Sequence, residues 1–354
     1  MALLIKNQKG DREVKNHIIF FSGGLSSFSV ADYVKKNFPN DNILLYFTDT
    51  LWESMDLYRF INEASDKMEL PLLTHSMGLT PVQLMFEQKV IFNSRIGNCS
   101  KYLKMKVAAD YLKKGKRPNI EKWRNKQYLK HEDFTTEAIL YFGIGFMESH
   151  RAAPIQKNWQ PFKVEMPLIN QLWFEHAPVL EEYSIRQPIL YDYGFSHNNC
   201  NGRCVKAGMS HFKRLRSTMP EVFKELVEQE HYLKLYVSEY HYIKNLEVDG
   251  LTEDVKALWH EKLDDAYRDY FYGRAKRPKV YIPTDLFIQQ YGFMKRKGSA
   301  YPLSQFSRDL SGHKGSTNEE DIFDLKHDEG GCGCFVDFST PLFDESNNQI
   351  AINL

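Results

Sequence analysis

Short apolar runs alternate with helical periodicity through the first half of the chain. Residues 17–21 form a continuous apolar run typical of a buried parallel strand, and Ser22-Gly23-Gly24 ends it. The following positions predict a helix, because apolar side chains recur every three or four residues up to a Pro-Asn stop. The apolar face comprises Phe28, Ala31, Val34 and Phe38.

The same alternation continues along the chain. Further strands are predicted at residues 43–47, 71–74 and 138–144, and the stretch after residue 50 has the period of an amphipathic helix. Thr80 and Pro81 have the pattern of a helix cap followed by proline in the first turn. Alternating strands and helices predict a Rossmann-like α/β fold with a parallel sheet and right-handed crossovers.

The pattern changes near residue 178 to aromatic and charged helical stretches. We therefore predict two regions, an α/β domain over residues 1–177 and a mostly helical region over residues 178–354. The helical face of the second region includes Phe223, Leu226, Tyr232 and Leu233. Its final part, residues 316–345, contains nine acidic residues and one lysine, which predicts a solvated acidic tail.

Composition narrows the class of protein but not its activity. The 354 residues are 42% hydrophobic and 26% charged, which excludes a disordered or collagen-like chain. Lys and Arg balance Asp and Glu at 46 each, so attraction to an anion depends on a local patch. No run of 18 apolar residues and no signal-peptide pattern occurs, so we expect a cytoplasmic protein without a membrane partner.

The strand-to-helix connection at residues 22–27 is a candidate phosphate loop. Glycines allow the backbone to approach an anion closely, and the positive end of the following helix dipole attracts it. Serine hydroxyls add hydrogen-bond donors. The simpler interpretation is a glycine turn with serine helix caps. The loop comprises Ser22, Gly23, Gly24, Leu25, Ser26 and Ser27.

This loop resembles that of the PP-loop superfamily, whose usual form is Ser-Gly-Gly-x-Asp-Ser; Ser26 stands where aspartate is common. Three later segments are similar to elements of the phosphoadenosine phosphosulfate (PAPS) reductase-like branch and follow in the same order. They are Asp49-Thr50 with Glu53 and Asp56, then Asn98–Lys104, then Gly143-Ile144 with Glu148 and Arg151. The resemblance implies a nucleotide-binding PP-loop fold over the first half of the chain.

Three charged residues in these segments are candidate site residues. Asp49 follows a predicted strand, where its carboxylate is suited to a nucleotide hydroxyl or Mg²⁺. Lys104 and Arg151 are suited to phosphate or sulfate oxygens. The alternatives are a helix cap for Asp49 and solvated surface positions for Lys104 and Arg151.

Four of the five cysteines occur in two close pairs, Cys200 with Cys204 and Cys332 with Cys334. Four thiolates so arranged predict one shared Zn²⁺ or iron–sulfur site. Buried cysteines without a metal are the alternative. Residues 194–208 and the Gly-Gly-Cys-Gly-Cys-Phe segment also resemble a subgroup of uncharacterised PAPS reductase-like proteins, which implies that both pairs belong to one unit. His197 and His211 are possible additional ligands.

Cys99 is a separate candidate, either for a catalytic thiol or for a further cluster ligand. A helix is predicted from Ser100, so Cys99 is placed at a helix N-terminus, where a thiolate is favoured and nucleophilic chemistry becomes available. PAPS reductases are expected to have a reactive cysteine in a Glu-Cys-Gly tail, and this sequence has no such tail.

The segment Lys101–Lys130 is strongly basic, with eleven Lys or Arg residues, two acidic residues and interleaved aromatic side chains. Such a segment is suited to a nucleic-acid backbone and stacked bases. A solvated helical face explains it equally simply and is the interpretation that we prefer.

These features predict an adenine-nucleotide-dependent enzyme of the PP-loop class that uses ATP or PAPS. In an adenylating version, Mg²⁺ bridges the phosphates and an acceptor attacks the α-phosphorus, which releases pyrophosphate. In a reductase version, a cysteine attacks the sulfur of PAPS and sulfite follows. The missing tail favours the first version. A non-catalytic nucleotide- or nucleic-acid-binding component of a larger assembly is the third hypothesis, and self-association stays open.

Overall fold

The computed structural model describes residues 14–93, 97–279, 291–296 and 298–312. Six of the described strands form one mixed sheet in the order β4-β3-β2-β1-β5-β6. All neighbouring strands in it are parallel except β3 and β4. The strands are β1 (Asn16–Phe20), β2 (Asn42–Thr48), β3 (Leu72–Ser76), β4 (Ile120–Arg124), β5 (Ile139–Tyr141) and β6 (Lys163–Glu165).

Helices cover the sheet and continue into the second half of the chain. Their bounds are α1 (Leu25–Asn37), α2 (Met55–Met68), α3 (Pro81–Gln88), α4 (Val107–Lys114), α5 (Ala152–Asn158), α6 (Ala177–Glu182), α7 (Ile189–Asp192), α8 (Met209–Thr218), α9 (Pro220–Asn245), α10 (Glu253–Phe271) and α11 (Leu303–Gly312). A π-helical segment, Ser100–Lys106, precedes α4, and a small antiparallel hairpin contains β7 (Met294–Arg296) and β8 (Ser299–Tyr301).

Both faces of the sheet are buried. Successive side chains of its central strands point to opposite sides, and each side contributes to its own apolar cluster. Ile18 and Phe20 belong to one apolar cluster, which also contains Trp159. Ile19 belongs to the other cluster, together with Phe28 of α1. This arrangement confirms the predicted Rossmann-like α/β fold and explains why the first strand reads as a continuous apolar run.

Two edge strands differ from the predicted pattern. β4 runs antiparallel to β3, and neither β4 nor β6 was expected from the sequence. Both are short edge strands with charged residues, so they lack the apolar run that identifies a central strand. The predicted strand at 138–144 is shorter, because only Ile139–Tyr141 pairs with β1.

The region after residue 178 contains the predicted helices, and α9 and α10 pack against each other. They also contact α3, where the ring centroids of Phe86 and Tyr236 are 4.6 Å apart. Thr80 caps α3 with the reciprocal hydrogen bonds of a capping box, so that sequence prediction is confirmed. No helix within the described residues is long and apolar enough to cross a bilayer.

The sheet order places the first loop at a switch point. The chain proceeds from β1 through β2 to β3 on one side, and then returns to β5 on the other side of β1. In open α/β sheets the crevice at such a reversal, outside the carboxyl ends of the strands, is where ligands bind.

Candidate functional site

The loop after β1 has the geometry of an anion-binding turn. Gly23 has a φ of +77°, and a Cβ there would lie 2.9 Å from Cγ of Leu57, so glycine is required. α2 and α3 are capped by Ser54 and Thr80, whereas α1 begins after Gly24 without a side-chain cap. The first turn of α1 therefore presents backbone amides and a positive dipole end to the crevice.

A cleft of about 240 Å³ opens beside this loop. Another part of its wall is the segment after β5, where Gly143 packs so closely on the loop that an added Cβ would lie 2.6 Å from the backbone nitrogen of Ser27. Lys104 and Arg151, two of the predicted cationic site residues, also line the cleft. The residues that line it include Ser22, Ser26, Gly143, Lys104, Arg151 and Asn198.

Arg151 and Lys104 are both held by carboxylates. Arg151 is buried and its guanidinium pairs with Glu148, three residues earlier. Lys104 is 4% exposed, and its Nζ lies 3.6 Å from Oε1 of Glu53. Burial opposes the charge of Lys104, but Glu53 and the neighbouring thiols outweigh it and raise the pKa of Lys104. Lys104 therefore carries a positive charge into the cleft.

Asp49 lies at the end of β2, as predicted, but its carboxylate holds the protein backbone. Oδ1 accepts hydrogen bonds from the Leu51 amide at 2.7 Å and from the Tyr58 hydroxyl at 2.9 Å. Burial raises the pKa of Asp49 despite these bonds. The residues that line the cleft do not include Asp49.

Glu53 connects the cleft to the cysteines. Its Oε1 accepts from the Thr50 hydroxyl at 3.0 Å, and its Oε2 accepts from the Cys200 amide. The turn that begins at Cys200 has left-handed φ values at three consecutive residues, Cys200, Asn201 and Gly202. Left-handed backbone at two non-glycine residues is strained, and such strain is concentrated at functional sites.

Three thiols lie together beside this turn. Cys200 and Cys204 form a hydrogen-bonded pair, in which that bond raises the pKa of Cys200 and lowers that of Cys204. Cys99 lies close enough to Cys204 to interact with it electrostatically, and burial raises the pKa of Cys99 to about 11. The helix N-terminus at Cys99 therefore does not lower its pKa as expected, because desolvation dominates.

Cys332 and Cys334 lie outside the described residues, so the structure describes only Cys200 and Cys204 of the predicted four-thiol site. Among the described residues, no group of three or more His, Cys, Asp or Glu side chains has an arrangement that could hold a metal ion.

His197 lines the cleft, its ring stacks on that of His211 at 5.3 Å, and burial lowers the pKa of His197 to about 3. His211 donates from Nε2 to the carbonyl of Gly202 at 2.8 Å, which supports the turn.

Two further contacts at the cleft had no signal in the sequence. The Asn198 side-chain amide donates to the carbonyl of Gly23 at 2.9 Å across 175 positions of sequence. The amide of Leu25 donates to the Tyr191 hydroxyl at 3.3 Å across 166 positions. Both contacts fix the phosphate loop from segments too distant in sequence for a local pattern to connect.

The basic segment Lys101–Lys130 is not one helical face. It contains the π-helical segment, α4 and β4, and the ring of Trp123 packs against that of Phe134. Many of its cations have protein partners: Lys106 and Lys114 bind Asp110 at 2.7 and 3.0 Å, and Arg124 binds Asp66 at 2.5 Å. These contacts reduce the positive charge available to a nucleic-acid backbone.

Comparison with known proteins gives one family match. The family model of the phosphoadenosine phosphosulfate reductase domain matches residues 16–196, which is more than half of the chain. The matched stretch contains the whole six-stranded sheet and the phosphate loop, and it ends shortly before Cys200. No curated protein matches the chain.

Proposed function

Because the chain belongs to the phosphoadenosine phosphosulfate reductase domain family, a branch of the PP-loop superfamily, we propose that it is an enzyme of adenine-nucleotide-dependent sulfur chemistry. The observation that carries the proposal is the position of Lys104, which lines the cleft and interacts electrostatically with all three thiols. One cation thus adjoins both the anionic end of a bound nucleotide and the thiol group.

The nucleotide is proposed to bind with its phosphate or sulfate end on the loop. First-turn amides of α1 other than that of Leu25, which donates to Tyr191, and the hydroxyls of Ser22 and Ser26 supply hydrogen-bond donors. Lys104 and Arg151 supply positive charge at partly dehydrated positions, where attraction to an anion is stronger than in water.

Reduction of PAPS is the version that this geometry supports best. Cys204 is the proposed nucleophile: its thiolate attacks the sulfur, the S–O bond to the phosphate breaks, and adenosine 3′,5′-bisphosphate leaves with the electron pair. Cys200, having lost its proton to water, then attacks the Sγ of Cys204, which forms a disulfide and releases sulfite. A dithiol reductant restores both thiols. The adjoining pair would supply both thiols that this reaction needs.

Adenylyl transfer on ATP is the competing candidate, and the contacts of the two carboxylates favour it less. Mg²⁺ needs oxygen ligands that face the phosphates. Asp49 is engaged by Leu51 and Tyr58, and Glu53 by Thr50, Lys104 and Cys200. Binding of Mg²⁺ would therefore compete with the existing contacts of Glu53 and of Oδ1 of Asp49.

The predicted metal site at Cys200, Cys204, Cys332 and Cys334 remains a prediction. The two described thiols are adjacent, as ligands of one Zn²⁺ ion or iron–sulfur cluster would need to be. A bound metal would occupy both sulfurs and prevent the disulfide step. Metal content and thiol titration of anaerobically purified protein therefore separate the two uses of this pair.

Calorimetry with adenosine 3′,5′-bisphosphate and with a non-hydrolysable ATP analogue plus Mg²⁺ tests the proposal. We expect the bisphosphate to bind more tightly, and Lys104→Met to weaken it roughly 10- to 100-fold, the usual cost of removing a charged partner. Lys101→Met is the matched control, since Lys101 does not line the cleft. Equal binding by Lys104→Met and wild type would contradict the cleft assignment, and preference for the ATP analogue would favour adenylyl transfer.

A further inference from the structure

A second cavity lies between α9 and α10, and none of its lining residues belongs to the cleft. Its volume is about 780 Å³, and its wall is mainly apolar and aromatic. Lys262, Asp265 and Lys279 also line it. The apolar part of the wall includes Tyr242, Ile243, Leu246, Trp259, Leu263 and Ala266.

Two buried polar groups in this cavity have no hydrogen-bond partner among the described residues. Glu239 of α9 is 7% exposed, and within the described part of the chain its Oε1 has no hydrogen-bond partner. Tyr267 of α10 is 1% exposed, and its hydroxyl is likewise without a partner there. The carboxylate and the hydroxyl are near enough to interact, since Glu239 contributes to the raised pKa of Tyr267.

An unpaired buried carboxylate is costly, and most such groups in folded proteins are paired. Burial raises the pKa of Glu239 to about 7, and neither Lys262 nor Lys279 offsets that effect. Packing alone would favour an apolar residue at this position of α9. A carboxylate facing an apolar cavity is therefore suited to a ligand that brings the missing positive charge and hydrogen-bond donors.

We propose that this cavity binds an apolar amine, with its ammonium group between the Glu239 carboxylate and the Tyr267 hydroxyl oxygen. The apolar body of the ligand lies against Leu263, Ala266 and the rings of Tyr242 and Trp259. Aromatic rings attract cations as well as apolar surface, so the wall matches both parts of such a ligand. The site is independent of the proposed chemistry at the cleft.

Calorimetry on the full chain tests the proposal with 4-phenylbutylamine and its neutral isostere 4-phenylbutanol as probes. We expect the amine to bind at least about tenfold more tightly than the alcohol, the difference expected for a charge-assisted hydrogen bond. Glu239→Gln should remove that preference, and Tyr267→Phe should weaken amine binding several-fold. Glu221→Gln, at an exposed glutamate of the same helix, should leave it unchanged.

Absence of amine binding, or equal binding of amine and alcohol, would overturn the proposal. The experiment uses the full chain, so another segment of the protein that fills the cavity would also prevent the amine from binding. Amine binding that survives Glu239→Gln would place the probe elsewhere and overturn the proposal too. As a separate check on folding, Glu239→Gln should raise the Tm of the free protein, because it removes an uncompensated buried charge.

Discussion

At the residue scale, Glu53 organises the candidate site although it does not line the cleft. It accepts hydrogen bonds from Thr50 and from the Cys200 amide and pairs with Lys104. From the sequence, Glu53 was identified only as an acidic residue that follows Asp49. Its role depends on partners about 50 and 150 positions away along the chain, which local spacing does not reveal.

Asp49 is expected to support the backbone and not a metal. Asp49→Asn retains the oxygen that accepts from Leu51 and Tyr58, so we predict a change of less than about threefold in nucleotide affinity and turnover. Tyr58→Phe, which removes one of the two donors, is the matched variant for the same bond. Steady-state kinetics at several Mg²⁺ concentrations measure both, and a loss of activity in Asp49→Asn that extra Mg²⁺ restores would contradict this interpretation.

Three cysteines show where residue-level prediction ends. Cys99 and Cys204 are separated by more than 100 positions, so the sequence pattern indicated Cys99 only as a separate candidate. The structure brings Cys99 beside the pair because the π-helical segment and the turn after Cys200 meet near Lys104. Tertiary packing, which no motif encodes, therefore determines the composition of the thiol group.

At the element scale, the phosphate loop depends on close contact between the start of α1 and the segment after β5. The first strand, the loop and α1 were predictable, since a buried apolar run, glycines and helical periodicity are all local signals. β4 was not, because the charges of an edge strand conceal its pairing.

Gly143→Ala tests this contact. An added Cβ would lie 2.6 Å from the Ser27 nitrogen and 2.8 Å from the Ser26 carbonyl carbon, so the backbone of the loop must move. We predict destabilisation by about 1–3 kcal/mol and a clear loss of nucleotide affinity. Gly145→Ala is the control, since nothing lies within 4 Å of the Cβ that it would add. Urea unfolding and calorimetry that fail to distinguish the two variants would contradict the assigned contact.

At the scale of the whole molecule, buried histidines make stability depend on pH. Burial lowers the pKa of His75, which is fully buried and bonded to Tyr46 and Glu121. The unfolded chain, with an ordinary histidine pKa of 6.5, therefore binds a proton more readily than the folded state. This contribution to stability is present above pH 6.5 and is lost as pH falls below it.

We predict that wild type loses stability relative to His75→Gln between pH 7.5 and 5.5, by up to about 1.4 kcal/mol per pH unit below 6.5. The comparison with a variant is needed because Glu230, whose pKa burial raises to about 7, changes stability in the opposite direction. Urea unfolding at each pH measures the difference. His150→Gln, at an exposed position, should track wild type, and a pH-independent difference for His75→Gln would refute the prediction.

In the proposed reaction, Cys204 attacks the sulfur of a PAPS molecule bound at the phosphate loop, and Cys200 resolves the product. The most direct measurement is intact-protein mass spectrometry after one turnover with PAPS, without added reductant. Cys200→Ser should accumulate a covalent SO₃ group on Cys204, whereas Cys99→Ser should form the Cys200–Cys204 disulfide as wild type does. Sulfite release by Cys204→Ser at the wild-type rate, or the absence of any SO₃ adduct in Cys200→Ser, would contradict the claim.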